Sequence, residues 1–269
     1  MKTTEQEYSE LGISNDFMFK RILGDERYAK PFLETVLGFH IDHVVMLDKE
    51  KEMQPHVNSH AIRLDIYVDD GHTIYDCEMQ TSDKKNLPKR SRFYQSQIDV
   101  AILGKGTNYN KLKRTYIIFV CTFDLFEDDR YVYTFKSMCK ENTQIELEDE
   151  SIKVFLNSKG HKGDVSDEFR ELMHFIDTSE IREYNSELVN DLKDALIDAR
   201  GREDWRGDYM TLLEREDELK REIREEYIGH LIEALKEIGA QDEDIIKQLI
   251  KRYELTREEA EECVREHTQ

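Results

Sequence analysis

The chain has 269 residues, of which 38% are hydrophobic and 36% are charged. This length suits one large domain or a domain with an appendage, and no apolar run approaches the roughly 20 residues that cross a membrane. The net charge of −20 at pH 7 disfavours a protein that coats nucleic acid with a uniformly basic surface, because basic side chains supply most non-specific affinity for phosphates.

The N-terminal segment predicts two helices followed by a strand. Ser14 is the expected N-cap of a first helix that begins at Asn15, and a second helical segment opens near Asp25. Asp16 then lies in the first turn, where a carboxylate suits the positive end of the helix dipole. Residues 41–47 predict the strand, and a charged link follows it.

The segment from 60 to 81, HAIRLDIYVDDGHTIYDCEMQT, alternates polar and apolar side chains on both sides of a turn around Gly71. A two-residue period interrupted by an Asp-Gly turn predicts two antiparallel strands, and we call this segment the hairpin. The predicted polar face of the hairpin carries Arg63, Asp65, Asp76, Glu78 and Gln80. Carboxylates from both strands therefore share one face.

Two registers of the hairpin keep the apolar side chains together. In the favoured register, Asp65 lies opposite Asp76. The same register places Arg63 opposite Glu78, whereas a register shifted by two places Asp65 opposite Glu78. Both bring carboxylates within about 5–8 Å of each other, where like charges repel. A bound Mg²⁺ removes that repulsion, because one or two carboxylates with water and a substrate phosphate form its usual ligand set.

A basic cluster and a helix follow the hairpin. Within nine residues the chain places Lys84, Lys85, Lys89, Arg90 and Arg92, opposed only by Asp83. Pro88 suits the first turn of a helix over residues 89–103, on which Arg90, Tyr94 and Gln97 form one stripe. An isolated charge run is usually a solvated loop, but beside a carboxylate site this cluster predicts contacts with phosphate.

The rest of the first two-thirds completes an α/β pattern. Residues 115–122, TYIIFVCT, form a continuous apolar run that is typical of a strand buried on both faces. The predicted order is helix, strand, strand, strand, helix, strand. Two more strands are predicted over residues 131–135 and 152–156, and two helices over residues 165–176 and 181–199.

The composition changes from about Gly201 onward. Residues 212–227 are dense in Glu, Arg and Lys and predict an exposed helix or coiled-coil stalk. Three short helices are then predicted over residues 228–238, 242–253 and 256–266, the last opening with a capping box at Thr256. This module is too small to bury much apolar surface alone, so we expect it to pack on a second copy of the chain.

The hairpin resembles the motif of the PD-(D/E)xK nuclease superfamily, an Asp on one strand followed by (D/E)-x-K on the next. Here Asp65 and Glu78-Met79-Gln80 match it, with Gln80 in the place of the Lys. The E-x-Q form is similar to the recombination-promoting nucleases, a branch whose members are also described as transposases. The flanking motifs that support this branch are NDFMFK at residues 15–20, RSRFY at residues 90–94 and GTNY at residues 106–109.

The resemblance implies a restriction-endonuclease-like core, an αβββαβ mixed sheet flanked by helices, over residues 1–200, with a helical appendage over residues 201–269. It also implies a DNA endonuclease that depends on Mg²⁺, with Mn²⁺ as an alternative metal. The implied catalytic residues are Asp65, Glu78, Gln80 and Asp16, with Asp65, Glu78 and the Met79 carbonyl on the metal. The implied DNA-binding residues are Lys20, Lys89, Arg90, Arg92 and Tyr94.

Two alternatives to an active nuclease stay open. Gln80 is uncharged and the protein is acidic, which permits an inactive nuclease fold that binds DNA or a protein, although a dead site has no need of clustered carboxylates. In the second alternative Arg63 pairs with Glu78, the hairpin is purely structural and no metal binds. The four cysteines have no CxxC spacing, so we expect free thiols in a reducing cytoplasm, without a zinc site.

Overall fold

The structure is a computed structural model that describes residues 4–53, 62–104 and 106–267. The first two hairpin residues, His60 and Ala61, lie outside these ranges. The chain divides into one compact unit that ends at Arg202 and a second that begins at Glu203. Within the described ranges, every helix is too short or too polar to cross a lipid bilayer.

A mixed sheet of six strands organises the first unit, among the residues described. The strands are β1 (Met46–Met53), β2 (Ile62–Asp69), β3 (Thr73–Gln80), β4 (Arg114–Cys121), β5 (Val132–Phe135) and β6 (Ser151–Asn157). Their spatial order is β1-β2-β3-β4-β6-β5. The first three pair antiparallel, β4 and β6 run parallel to β3, and β5 pairs antiparallel at the edge.

Helices flank this sheet. They are α1 (Thr4–Ser9), α2 (Asp16–Leu23), α3 (Glu26–Leu37), α4 (Leu87–Ile102), α5 (Asp167–Thr178) and α6 (Glu187–Gly201). α4 covers β4, where the Tyr94 ring stacks on Phe119 at a centroid distance of 6.4 Å. The predicted α/β class and the order of the core elements are therefore confirmed, as is the restriction-endonuclease-like architecture.

Two local predictions near the N-terminus are wrong. The N-cap of α2 is Asn15, not Ser14, because the Asn15 side chain accepts hydrogen bonds from the backbone N–H groups of Phe17 and Met18. The first strand begins at Met46, where pairing with β2 starts, and runs on through the charged residues assigned to a link. Apolar content misled the strand prediction, since buried Ile41 lies outside β1.

The second unit consists of α7 (Glu203–Glu237), α8 (Asp242–Tyr253) and α9 (Arg257–Glu266). Its apolar core includes Ile232, Ile245, Leu249 and Val264. The predicted break before residue 228 is wrong, because α7 is one continuous helix of 35 residues. The capping box at Thr256 is confirmed: its hydroxyl accepts from the backbone of Glu259, whose carboxylate accepts from the Thr256 backbone.

Candidate active site

The register of the hairpin decides which carboxylates meet. Ile66 pairs with Cys77 across β2 and β3, which sets Asp65 against Glu78. The favoured register, with Asp65 opposite Asp76, is therefore wrong, and the register shifted by two is the one formed. The motif carboxylates are thus direct cross-strand neighbours.

The turn explains this register. The backbone N–H of Asp70 donates to the carbonyl of Thr73 at 3.1 Å. The Asp70 carboxylate in turn accepts from the backbone N–H groups of His72 at 2.8 Å and Thr73 at 2.6 Å. Thr73 is consequently held by the turn and is not paired with Val68. Gly71 takes a φ of 95°, which glycine adopts without strain.

Asp65 and Glu78 hold each other through the opposite strand's backbone. The Asp65 N–H donates to Glu78 Oε1 at 3.0 Å, and the Met79 N–H donates to Asp65 Oδ2 at 3.2 Å. Both side chains are buried. Beyond the Ile66–Cys77 pair, these two carboxylates therefore accept the backbone N–H hydrogen bonds. The two acidic groups are fixed next to each other as a result.

Lys20 of α2 reaches into this pair. Its Nζ lies 3.0 Å from Asp65 Oδ1 and 2.7 Å from Asp16 Oδ2, and its side chain is only 8% exposed. Burial by itself lowers the pKa of Lys20, but Asp65 and Asp16 raise it by more, so the net shift is upward. The ammonium therefore stays charged within the site. Asp16 lies at the rim, with its side chain 56% exposed.

Arg90 of α4 approaches from another side. Its Nη2 donates to Glu78 Oε2 at 2.8 Å and its Nη1 to Gln80 Oε1 at 3.1 Å, while the guanidinium lies 5.1 Å from the Tyr94 ring centroid. Arg63 instead lies near Glu50. The Arg63–Glu78 pair of the purely structural hairpin is therefore not formed, and that prediction is wrong.

The remaining residues predicted to bind DNA, all on α4, differ in their exposure. Lys89 and Arg92 are exposed there, whereas Tyr94 is buried beneath Arg90. Lys84 and Lys85 are exposed in the loop between β3 and α4. The structure therefore brings Lys20 and Arg90 to the carboxylates and leaves Lys89 and Arg92 facing solvent.

Two acidic residues near the motif pair were assigned no catalytic or metal-binding role from the sequence. Asp76 is fully buried, and neither of its carboxylate oxygens has a hydrogen-bond donor among the residues described. Its position two residues before Glu78 on the polar face was the available signal. Glu50 of β1 lies 3.9 Å from the Lys20 ammonium, and it could not be predicted because the residue fell in the supposed link.

The carboxyl groups ionise with difficulty. Burial, then the charges of Glu78 and Asp65, raise the pKa of Asp76 well above its ordinary value. Burial and the charge of Asp65 raise the pKa of Glu78 to about 8. Burial also raises the pKa of Asp65, although Lys20 opposes it. Ionisation of all these carboxyl groups would therefore leave more negative charge than the neighbouring cations neutralise.

That excess fits a divalent cation. Fully ionised, the four carboxylates of Asp16, Asp65, Asp76 and Glu78 outnumber the cations Lys20 and Arg90 by two charges. Among the described residues, no group of three or more His, Cys, Asp or Glu side chains converges as a preformed metal cage. Mg²⁺ needs only one or two protein carboxylates, since water and substrate phosphate complete its shell. Asp65 and Glu78 are thus a sufficient donor set.

The raised pKa of Glu78 predicts a pH-dependent stability of the metal-free protein. The folded protein binds more protons than the unfolded chain between the ordinary value of 4.5 and about 8, so stability is lost as pH rises through this range. One pKa unit corresponds to about 1.4 kcal/mol, and 1 kcal/mol moves the melting temperature by about 2–4 °C. We expect a fall of about 5 °C or more between pH 5 and 8 by thermal melting in EDTA.

The control for this melting experiment is Glu78→Gln, which removes the titrating group. We expect its melting temperature to change less over the same pH range than that of the wild type. Equal slopes for the two proteins would show that other groups carry the pH dependence.

Comparison with known families gives one match. The model of the family described as PD-(D/E)XK nuclease family transposase matches residues 13–268. No curated protein and no solved structure matches the chain.

Proposed function

The chain belongs to the PD-(D/E)XK nuclease family transposases, and from this premise we propose that it is a metal-dependent DNA endonuclease that hydrolyses phosphodiester bonds. The observation that carries the proposal is the interlocked pair of buried carboxylates, each fixed by the backbone of the opposite strand. A nuclease fold without chemistry has no reason to bury two acidic groups side by side, because like charges across a sheet destabilise it.

Asp65 and Glu78 would hold the metal, Mg²⁺ in the first instance and Mn²⁺ as an alternative. When bound, such an ion polarises the phosphate and lowers the pKa of a bound water. Gln80 carries no charge, but its Oε1 accepts from Arg90 and this fixes the amide. Its NH₂ group then remains to orient a water or a phosphate oxygen by hydrogen bonding. Asp16 contributes by holding Lys20 in place.

The proposed DNA contacts come from the basic cluster after β3. Lys89 and Arg92 are exposed on α4, and Lys84 and Lys85 precede them in the adjoining loop. Phosphate contacts of this kind position a duplex without reading its sequence. The cluster offsets locally the net charge of −20, which otherwise repels DNA.

The test is nicking of supercoiled plasmid in Mg²⁺, Mn²⁺ or EDTA, with wild type beside Asp65→Ala. We expect cleavage in either metal, none in EDTA and none by the variant. Equal cleavage by Asp65→Ala and wild type would refute the proposed centre. Absence of cleavage in every metal, together with salt-sensitive binding of DNA, would favour the second candidate.

That second candidate is a nuclease fold that binds DNA or a protein partner without catalysis. The observation in its favour is that both motif carboxylates already have cationic partners, Lys20 for Asp65 and Arg90 for Glu78. A site whose charges are partly satisfied can be stable without metal. A rise in melting temperature on addition of metal that is lost in Asp65→Asn distinguishes the active nuclease from this candidate.

We further propose that residues 1–200 form the nuclease domain and that residues 201–269 mediate self-association. The protein is proposed to be cytoplasmic. α7 exposes Leu219, Ile223 and Tyr227 at four-residue intervals, which places them on one side of the helix. The cysteines of the chain are free, in keeping with a reducing compartment.

Self-association predicts a dimer or larger species in sedimentation velocity at micromolar concentration. We expect the double change Leu219→Glu and Ile223→Glu to produce a monomer, because it places charge on the apolar stripe. Lys220→Glu with Glu222→Lys, an exchange of exposed charges between the stripe positions, is the matched control and should remain associated. A monomeric wild type at this concentration would contradict the proposal.

A further inference from the structure

The site contains a buried ammonium at the point where the motif lacks a charge. Position 80, two residues after Glu78, carries an uncharged amide. Besides Arg90, a positive charge comes from a different element, because the Lys20 ammonium on α2 lies 3.0 Å from Asp65. Helix α2 is capped at its N-terminus by Asn15 and six of its eight residues are buried, so this ammonium has a defined position.

The two cations of the site contact different carboxylates. Arg90 donates through its terminal nitrogens to Glu78 and Gln80, and its buried Nε has no partner among the residues described. Lys20 has three N–H donors, and Asp16 and Asp65 accept two of them. Glu50 at 3.9 Å lies beyond hydrogen-bonding distance. One N–H of Lys20 is therefore without an acceptor among the residues described.

An ammonium with only a structural role would not need a fixed position between two carboxylates with one N–H left over. A buried ion pair is weak evidence for stability, because desolvation offsets most of the attraction. A fixed donor at the edge of a carboxylate pair, by contrast, stabilises negative charge that develops in a transition state, and removal of one such donor typically costs about 10²–10³-fold in rate.

We propose that Lys20 is a catalytic residue whose ammonium contacts the scissile phosphate, so that α2 supplies the positive charge that Gln80 does not. This inference rests on the proposed nuclease function. In the hydrolysis, a water oxygen forms a bond to phosphorus and the bond to the leaving oxygen breaks. The leaving oxygen keeps the electron pair of that bond, and the proton released by the water reaches it through solvent. Lys20 stays protonated throughout and stabilises the charge that accumulates on the non-bridging oxygens.

The test moves the charge from one element to the other. Lys20→Met removes the ammonium and keeps the length of the side chain, and Gln80→Lys in the Lys20→Met background returns an ammonium on β3. Residue 80 follows Glu78 on the same face, about 6.6 Å along the strand, so a Lys there reaches the same carboxylates. Lys113→Met is the matched control, because Lys113 forms a similar pair, at 2.7 Å, with Asp69 at the turn end of the hairpin.

Plasmid nicking in Mg²⁺ should fall at least about 100-fold in Lys20→Met and recover at least about 10-fold in the double variant, while Lys113→Met keeps the wild-type rate. The second readout is the rise in melting temperature on addition of Mn²⁺. We expect Lys20→Met to keep this rise, because the loss of a cation beside Asp65 leaves the carboxylates available to metal. Retention of the rise also shows that the variant is folded.

Four results would overturn the inference. Cleavage by Lys20→Met within about threefold of wild type would show that the ammonium does not act in the reaction, and the proposed nuclease function would stand. Failure of Gln80→Lys to restore cleavage would assign Lys20 to the support of Asp65 alone, as would loss of the Mn²⁺-dependent rise. Absence of cleavage by the wild type in any metal would overturn the nuclease function and this inference together.

Discussion

Glu78→Ala is expected to abolish DNA cleavage at every metal concentration, with a loss of at least about 10³-fold. Glu78 contributes one of the two carboxylates of the proposed metal site, and its Oε1 also fixes the backbone of Asp65. Its removal leaves Arg90 without its carboxylate partner at the bottom of the site. Excess metal cannot compensate, because Asp65 alone does not fix the position of the ion relative to the phosphate. Nicking rates over a metal titration measure this directly.

The control for Glu78→Ala is Glu150→Ala. Glu150 forms an ion pair with Arg114 of the same length, 2.8 Å, but both of its members are about half exposed. An exposed pair contributes little to stability, so cleavage should stay at the wild-type rate. Glu78→Gln, which keeps the shape of the side chain, separates loss of charge from loss of packing. Cleavage retained in Glu78→Ala would mean that the active centre lies elsewhere.

The polar face of the hairpin was predictable because it depends on a local rule. Side chains alternate along a strand, so Asp65, Glu78 and Gln80 had to share a face once the two-residue period was recognised. The register was not predictable in the same way. It depends on the Asp70 side chain, which accepts from two backbone N–H groups and shifts the turn by one residue along the chain. The two-residue period of the strands and the Asp-Gly turn signal are compatible with both registers.

The cationic partners of the two motif carboxylates could not be predicted from the sequence. The motif resemblance indicated that Lys20 and Arg90 matter, and it assigned both to DNA. Their contacts with Asp65 and Glu78 arise from the packing of α2 and α4 around the sheet, which no spacing in the chain encodes. Glu50 could be predicted even less, because its segment was expected to be a link between elements. The segment is in fact part of β1, which pairs antiparallel with β2 at the edge of the sheet.

The C-terminal unit shows an error of the opposite kind. The composition changes near residue 228 from charged to apolar, and this change suggested a helix boundary. A change in composition does not interrupt backbone hydrogen bonds, however, and α7 passes through it intact. Gly229 lies in this helix although glycine costs about 1 kcal/mol there. A Cβ at this position would lie 2.7 Å from the Nε2 of His267.

Asp65→Asn is expected to remove the metal-dependent rise in melting temperature. An ion that binds the folded protein stabilises it by about 2.7 kcal/mol when its concentration is 100 times Kd, and each kcal/mol corresponds to about 2–4 °C. The wild type should therefore gain about 5–10 °C from saturating Mn²⁺. Asparagine keeps an oxygen for the Met79 N–H but lacks the charge that binds metal, so the variant should gain about 1 °C or less.

Asp69→Asn is the matched control, because Asp69 lies on the same strand and pairs with a lysine at 2.7 Å, as Asp65 does at 3.0 Å. It should keep the full rise. A rise that persists in Asp65→Asn would place the metal away from the motif carboxylates. A wild type that gains nothing from Mg²⁺ or Mn²⁺ would favour the inactive binding module, since Lys20 and Arg90 would then be the permanent counter-ions of the buried acids. A rise lost only with Asp65 ties metal binding to the hairpin, as the proposed chemistry requires.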